Sequence, residues 1–269
     1  MPIPETAPER RTRSDRRKPA AHPIGDELRE ALERGEIEIL FQPQFASADG
    51  TLVGAEALAR WQHPRLGRIG ADKLFAIAAR AGLVEKLSHH IARAALGAAG
   101  NWRVPLRLSL NVTAADVAAG NFAENIAGAV AEAGFPPEHL TLEITEQVLV
   151  ADLERTGRRL RQLADLGIRI ALDDFGAGFC NFHYLKRLPI HALKLDRSMI
   201  EGVADDPRDL EVLRGILAMA RALHLDVVAD GVEREEQRAA IAREGCASWQ
   251  GFLGAKPMPG AEFAALAGA

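Results

Sequence analysis

The chain has 269 residues, of which 48% are hydrophobic and 26% charged, as expected of one large soluble domain or two small ones. The formal net charge of -4 argues against a global basic field of the kind that binds duplex nucleic acid. No apolar run reaches the roughly 18 residues that a membrane-spanning helix needs. The two cysteines, Cys180 and Cys246, form no disulfide framework, and no apolar segment follows the basic N-terminus, so we expect a cytoplasmic protein with free thiols.

The first 23 residues differ in composition from the rest of the chain. They are rich in Pro and Arg, carry six Lys or Arg against three acids, and contain almost no large apolar side chains. Such a segment buries too little apolar surface to fold by itself. We therefore predict a disordered basic arm or linker over 1–23 and a folded domain over 24–269.

From residue 24 onward, short apolar runs of strand length alternate with longer segments of helical period. Two of the longer segments, 151–166 and 208–223, repeat leucine at three- and four-residue spacing, as an amphipathic helix does. The arginines of 151–166 are expected to face water. The eight runs with strand character are 37–45, 52–60, 106–112, 140–146, 168–174, 192–198, 225–230 and 249–255.

Eight strands interleaved with helices in roughly 245 residues is the pattern of an α/β TIM-type (β/α)8 barrel. A doubly wound open sheet is the structural alternative. It ranks second because no G-x-G-x-x-G turn follows the first strand.

Polar side chains lie at or near the C-terminal ends of most predicted strands. Because these ends meet at one rim of a barrel, the sequence predicts a single acid-rich site with one amide and one lysine. In chain order the residues are Glu56, Arg60, Asn111, Glu143, Glu146, Asp173, Asp174, Lys194, Asp196, Asp230 and Glu233.

Such a site cannot consist of bare anions. Two unit charges ~4 Å apart repel by about 4 kcal/mol at an effective dielectric near 20, whereas a whole domain is stable by roughly 5–15 kcal/mol. Either some carboxyls are protonated or cations neutralise them. Carboxylate and amide oxygens favour Mg²⁺ or Mn²⁺ over zinc, and the adjacent Asp173 and Asp174 would allow one carboxylate to bridge two ions ~4 Å apart.

Two readings of individual residues stay open at this point. Alternation in "LKLDR" could place Lys194 outside the barrel, where it would form an ion pair of little value with Asp196. Asn111 could act as a turn residue or helix N-cap rather than as a ligand. Trp61 and Phe75 suit core packing, although either ring could also stack on a nucleotide base.

Six motifs occur in the order found in EAL domains, and the chain resembles that family over about residues 26 to 260. The motifs are "GAEALARWQHP", "LEITE", "ALDDFGAGF", "LKLDRSMI", "VVADGVE" and "WQGFL" followed by "KPM". The resemblance implies a TIM-type barrel whose first strand runs antiparallel to the others. It also implies hydrolysis of one phosphodiester bond of cyclic di-GMP, which gives linear pGpG, with Mg²⁺ or Mn²⁺.

The resemblance assigns roles by position. It implies that Lys194 lies near the attacking water and that Glu146 steadies the loop after Asp174. The implied ligands of two metal ions are Glu56, Asn111, Glu143, Asp173 and Asp174. The implied contacts to the dinucleotide and the pocket around it are Gln42, Leu58, Arg60, Glu233 and Gln250.

One departure from the family pattern affects catalysis. Asp230 stands where the family usually has a Glu implicated in water activation or metal binding, and the lost methylene shortens its reach by roughly 1.5 Å. A misplacement of that order can cost on the order of 100-fold in rate, so we expect a slow phosphodiesterase. The alternative is a catalytically weak or inactive EAL domain that acts as a cyclic di-GMP receptor or protein-interaction module. A homodimer through segment 175–190 is also implied by the family.

Overall fold

The structure is a computed structural model that describes residues 23–146, 148, 153–178 and 182–268. The predicted arm over 1–23, apart from Pro23, and the thiol of Cys180 lie outside the described residues. Cys246 is a free, buried thiol, and burial raises its pKa to about 12. Within the described part of the chain, the helices are too short or too polar to cross a membrane.

Strands of the described residues form one sheet that closes into a barrel. Strand β1 pairs antiparallel with both β2 and β9, and β2 and β4 to β9 run parallel to one another around the ring. The (β/α)8 prediction and the antiparallel first strand are therefore confirmed. The strands are β1 Ile37–Ala46, β2 Leu52–His63, β3 Gly67–Ile69, β4 Arg107–Val112, β5 Leu140–Ile144, β6 Arg169–Phe175, β7 Ala192–Leu195, β8 Asp226–Ala229, β9 Ser248–Trp249 and β10 Met258–Pro259.

Helices alternate with the strands and cover the outside of the barrel. Helix α5 ends at Gly134, which adopts the left-handed conformation expected of a C-terminal glycine. The helices are α1 Pro23–Arg34, α2 Ala71–Ala81, α3 Val84–Ala99, α4 Ala114–Ala118, α5 Phe122–Ala133, α6 Leu153–Ala164, α7 Phe182–Arg187, α8 Pro207–Ala222, α9 Glu235–Glu244 and α10 Gly260–Ala267.

The sequence misjudged several strand regions. Strands β3 and β10 were not predicted; they pair antiparallel with β2 and β1, respectively. The eighth predicted strand, 249–255, is wrong beyond Trp249, because the chain turns at Gly251 and passes close to Val232. A Cβ at Gly251 would lie 2.1 Å from the carbonyl oxygen of Val232, so no larger residue fits this turn without displacing the backbone.

The amphipathic pattern predicted that the arginines of α6 face water, but two of them donate hydrogen bonds to the neighbouring helix α4. Arg155 donates to the carbonyl oxygen of Ala118 at 3.1 Å, and Arg159 donates to that of Val117. Both carbonyl oxygens belong to the last turn of α4, which has no following helical turn to donate N–H groups to them. The pattern of leucines identifies the buried side of a helix, but it cannot show which long polar side chains reach a neighbouring element.

A second apolar cluster lies beside the barrel core and supports strand β2 where it extends beyond the ring. Leu28 of α1, Trp61 of β2, Leu74 of α2 and Leu87 of α3 are all fully buried in it. Trp61 is therefore a packing residue. This cluster fixes the strand that also carries Glu56.

We expect Phe263→Ala to destabilise the protein strongly, because Phe263 is fully buried and its ring lies 5.7 Å from Phe41 and 4.8 Å from Trp102. Removing such a ring costs about 3–5 kcal/mol of unfolding free energy, which urea denaturation measures. Leu266→Ala on the same helix is the control, since Leu266 is 41% exposed and should change stability by less than about 1 kcal/mol. Equal losses in the two variants would contradict the packing described for α10.

Candidate active site

A buried lysine lies inside the barrel, at the centre of a group of carboxylates. The side chain of Lys194 is 3% exposed, and its Nζ lies 2.7 Å from Glu143, 2.9 Å from Glu56 and 3.3 Å from Asp173. A fourth carboxylate, Asp230, lies 3.8 Å away. The reading that placed Lys194 outside the barrel is therefore wrong. We call Lys194 and these four acids the lysine–carboxylate ring.

Strand register explains why residues distant in sequence meet here. Glu143 of β5 pairs in register with Asn111 of β4, and Glu56 of β2 pairs with Ser109, two residues before Asn111 on the same face of β4. Glu56 lies in the first half of β2 rather than at its end, because β2 continues to His63. The residue is nonetheless inside the barrel and buried.

Neutral amides complete the surroundings of Glu56. Asn111 donates to its Oε1 at 2.6 Å, and Gln250 donates to its Oε2 at 2.7 Å. Gln44 in turn donates to Gln250 at 3.0 Å. Sequence reasoning missed Gln44, although its position two residues after Gln42 in an otherwise apolar strand is a signal that both amides face the same side.

Burial and mutual repulsion change the acidity of the ring. Burial raises the pKa of Glu143 to about 8 and that of Asp173 to about 6, although the Lys194 ammonium acts in the opposite direction on both. Burial also acts to raise the pKa of Glu56, but Lys194 and the donors Gln250 and Asn111 outweigh it and hold that pKa below its usual range. The pKa of Lys194 is raised well above its usual value, because the surrounding carboxylates outweigh the effect of burial. Lys194 is therefore a permanent cation at the centre of the ring.

The two consecutive aspartates of β6 point in different directions. Asp173 belongs to the ring, and its Oδ1 accepts a hydrogen bond from the backbone N–H of Asp174 at 2.8 Å. Asp174 has a φ of 54°, a left-handed conformation that is uncommon outside glycine and costs free energy. Gly176 follows with a φ of 102° and lies against Met199, where a Cβ would collide with the Met199 side chain. The strained turn thus presents a second carboxylate to the mouth of the barrel.

A cleft opens above the ring and is lined by both polar and apolar side chains. Its open space is about 1330 Å³, including the mouth. Its lining includes acids and amides, among them Glu56, Asp173 and Asn111, and apolar side chains of β2, α2 and α3, namely Leu58, Phe75 and Ile91. Gln42 and Gln250 also line the cleft. An anionic group would be repelled by these acids unless bound cations neutralise them, whereas a flat apolar group would find matching contacts on the apolar lining.

Arg60 lies beside the cleft rather than in its lining. Its Nη1 donates to the carbonyl oxygen of Ala59 at 2.8 Å. Burial is the largest cause that lowers the pKa of its guanidinium, while Glu56 and Asp72 act to raise it. From this position the positive charge of the Arg60 guanidinium acts on Glu56.

Besides Asp174, three of the acids predicted at the rim lie outside the ring. Glu233 forms a bidentate ion pair with Arg197, at 2.8 and 3.1 Å, on an exposed part of the rim. Asp196 caps the short 3₁₀ helix Arg197–Met199 by accepting from the backbone N–H of Ser198. Glu146 is half-buried just beyond β5, and the loop that it was predicted to steady includes residues 179–181, which lie outside the described residues.

The ring and its neighbours Asp174 and Asn111 offer the oxygen ligands that a hard divalent cation prefers. Glu56, Glu143, Asp173 and Asp174 offer carboxylates, and Asn111 offers an amide. In the described residues, however, no three His, Cys, Asp or Glu side chains are placed to enclose a metal ion as they stand. The carboxylates of the ring instead turn toward the Lys194 ammonium. The donor chemistry therefore fits Mg²⁺ or Mn²⁺, with the carboxylates now partnered by a lysine.

Comparison with known proteins gives a consistent result. The EAL domain family model matches residues 25–257. The chain is 38% identical over 240 residues to the cyclic di-GMP phosphodiesterase NbdA of Pseudomonas aeruginosa, covering 87% of this chain and 30% of that protein. It is 35% identical to the cyclic di-GMP phosphodiesterase RocR of the same organism, covering 89% of this chain and 62% of RocR. The chain thus spans less than two thirds of either relative.

The fold also matches a structure that contains nucleotide. The structure described as the PaMucR phosphodiesterase in complex with c-di-GMP superposes with a TM-score of 0.84 at 34% sequence identity. The match covers 90% of this chain and all of the other.

We expect Lys194→Met to destabilise the metal-free protein, because it leaves several buried carboxylates without their cation. Breaking a buried ion pair in this way costs about 3–5 kcal/mol, measurable by urea denaturation in EDTA. Lys86→Met is the matched control, since Lys86 is exposed on α3 and should change stability by no more than about 0.5 kcal/mol. A Lys194→Met protein as stable as the control would show that the ring does not depend on its ammonium.

Proposed function

Because the chain belongs to the EAL domain family, we propose that it is a metal-dependent phosphodiesterase that hydrolyses cyclic di-GMP to linear pGpG. The observation that carries the proposal is the lysine–carboxylate ring at the base of an open cleft. Water attacks phosphorus, the bond from phosphorus to the 3′ oxygen breaks, and the product keeps a 5′-phosphate and a free 3′-hydroxyl. The names of the relatives NbdA and RocR support this substrate.

We propose that two ions, Mg²⁺ or Mn²⁺, are held by the acid side of the cleft. The ligands of the first would be Glu56, Asn111, Glu143 and Asp173, and those of the second Asp173 and Asp174. When bound, such ions polarise the phosphoryl oxygens and lower the pKa of a bound water. The support is the hard donor set and the net negative charge of the ring, which a single ammonium cannot neutralise.

The residues of the chain then divide the remaining work. The Lys194 ammonium, fixed by its carboxylates, would hold the attacking water and offset the negative charge that grows in the transition state. Asp230, 3.8 Å from Lys194, would accept the proton of that water. Glu146 would steady the loop after Asp174.

Substrate binding would use both polar and apolar side chains in and beside the cleft. Arg60 offers a planar fork of donors that suits a phosphate, while Gln42 and Gln250 offer amides from the cleft lining. Leu58 gives an apolar surface in the same lining. Glu233, paired with Arg197 in this structure, would contact the nucleotide at the rim.

A receptor is the second candidate function, and Asp230 is the residue that favours it. A shortened carboxylate can leave binding intact while it slows chemistry, and such a domain would relay a signal to a partner. We also propose a cytoplasmic location and, as in the family, a homodimer through segment 175–190, part of which lies outside the described residues. The retained acids and Lys194 favour the enzyme over the receptor.

The direct test is to incubate the purified protein with cyclic di-GMP and Mg²⁺ or Mn²⁺ and to follow pGpG by chromatography. We expect turnover with either ion, no turnover in EDTA, and a loss of at least about 100-fold in Glu56→Ala, which removes a ligand and the main acceptor of Asn111 and Gln250. Tight nucleotide binding without product in either metal would instead establish the receptor.

Asp230→Glu gives a graded test of the departure from the family pattern. Restoring the methylene lets the carboxylate reach roughly 1.5 Å farther, and we expect kcat to rise on the order of 10-fold or more. Asp196→Glu, at an acid that caps a 3₁₀ helix outside the ring, controls for the added methylene. An unchanged or slower rate in Asp230→Glu would contradict the account of this position.

A further inference from the structure

The loop after β8, residues 230–234, begins with Asp230, an acid of the ring, and contains Glu233, which pairs with Arg197 on the rim. Its first residue is fixed by the barrel itself, since the backbone N–H of Asp230 donates to the carbonyl oxygen of Leu195 at 3.1 Å. In the middle, Val232 donates to the carbonyl oxygen of Gln250 at 3.0 Å. The barrel thus holds the first and middle residues of this short loop, and a separate contact holds its far end.

A glutamine of α9 holds that end. The Oε1 of Gln237 accepts hydrogen bonds from the backbone N–H groups of Glu233 and Arg234, each at 3.0 Å. Its Nε2 points the other way and lies 3.2 Å from the carbonyl oxygen of Glu201 and 3.4 Å from that of Ile200. One side chain thus joins the loop after β8 to the segment that follows β7, the strand that carries Lys194.

The chemistry of an amide suits this bridge. Gln237 is 4% exposed, so its contacts are protected from water. A neutral amide can accept two N–H bonds at one end and donate to carbonyl oxygens at the other, whereas a carboxylate can only accept and a hydrocarbon does neither. Buried backbone N–H groups that lose their acceptor are costly, and the loop would shift to find another.

We propose that Gln237 is a positioning residue that sets how far Asp230 reaches toward Lys194, by clamping the loop after β8 to the segment after β7. The inference rests on the proposed hydrolysis of cyclic di-GMP. It matters in this chain because Asp230 is already one methylene shorter than the usual acid and lies 3.8 Å from Lys194. A short side chain depends entirely on its backbone for reach, so a small movement of the loop takes the carboxylate out of range.

The test uses Gln237→Met, which keeps the volume and removes both polar ends. We expect amide hydrogen exchange at residues 233–234 to accelerate by at least about 10-fold, because these two N–H groups lose their acceptor. We expect kcat for cyclic di-GMP to fall on the order of 10-fold or more, while KM changes by less than about threefold. A residue that only supports the fold would lower the melting temperature without this division between kcat and KM.

Gln237→Glu separates the two ends of the bridge. Its carboxylate still accepts from Glu233 and Arg234 but can no longer donate to the carbonyl oxygens of Ile200 and Glu201. We expect exchange at residues 233–234 to stay near that of the unmodified protein, and kcat to lie between the unmodified protein and Gln237→Met. The matched control is Gln162→Met, because Gln162 is exposed on α6 and should leave both measurements unchanged.

Two results would overturn the inference. One is unchanged exchange at residues 233–234 in Gln237→Met, which would show that the clamp does not hold the loop. The other is accelerated exchange with an unchanged kcat, which would show that the loop does not position Asp230 for catalysis. If the unmodified protein hydrolyses no cyclic di-GMP, the proposed function fails and the positioning role in catalysis fails with it, whereas the exchange measurement still tests the clamp by itself.

Discussion

The structure depends on one buried electrostatic interaction, between the Lys194 ammonium and the carboxylates that converge on it. Glu56, Glu143 and Asp173 all lie within 3.3 Å of its Nζ. Without a cation, three acids at such distances could not ionise together inside a protein. Even beside the ammonium, burial raises the pKa of Glu143 to about 8, and the other three carboxylates of the ring still outnumber the one ammonium. That imbalance is what makes divalent ions the natural complement of the site.

The ring also explains why the barrel interior is polar. TIM-type barrels usually fill their interior with branched apolar residues. Here the layer beneath the cleft contains Gln44 and Gln250, which pass hydrogen bonds to Glu56. Each amide satisfies one group and is satisfied by the next, so the polar layer forms a connected network. The apolar core instead lies between the strands and the helices, where it fixes the register that brings the acids together.

The sequence predicted the barrel and most of the ring, for physical reasons that differ between residues. Glu56 was identifiable because apolar neighbours on both sides left it no solvated face. Asp173 and Asp174 were identifiable because they end an apolar run. Lys194 could not be assigned to the inside of the barrel from alternation alone, because its short strand has no polar face to compare with.

The errors have physical reasons as well. The position of a residue at a strand end predicts that it lies at the rim but not where its side chain points. Asp196 and Glu233 were therefore predicted to join the ring, whereas Asp196 caps a 3₁₀ helix and Glu233 pairs with Arg197. Gln237 gave no signal, because its partners are backbone groups of two loops, and one of these loops lies more than thirty residues away. Contacts of this kind depend on the tertiary fold and leave no local pattern.

The most direct test of the account is a crystal structure with Mn²⁺, read by the anomalous scattering of manganese. The account predicts two manganese peaks ~4 Å apart at the mouth of the barrel, bound by Glu56, Asn111, Glu143, Asp173 and Asp174, with Lys194 still in contact with the ring. An acid ring that stays closed on Lys194 with no manganese peak, in crystals whose protein binds cyclic di-GMP, would contradict it.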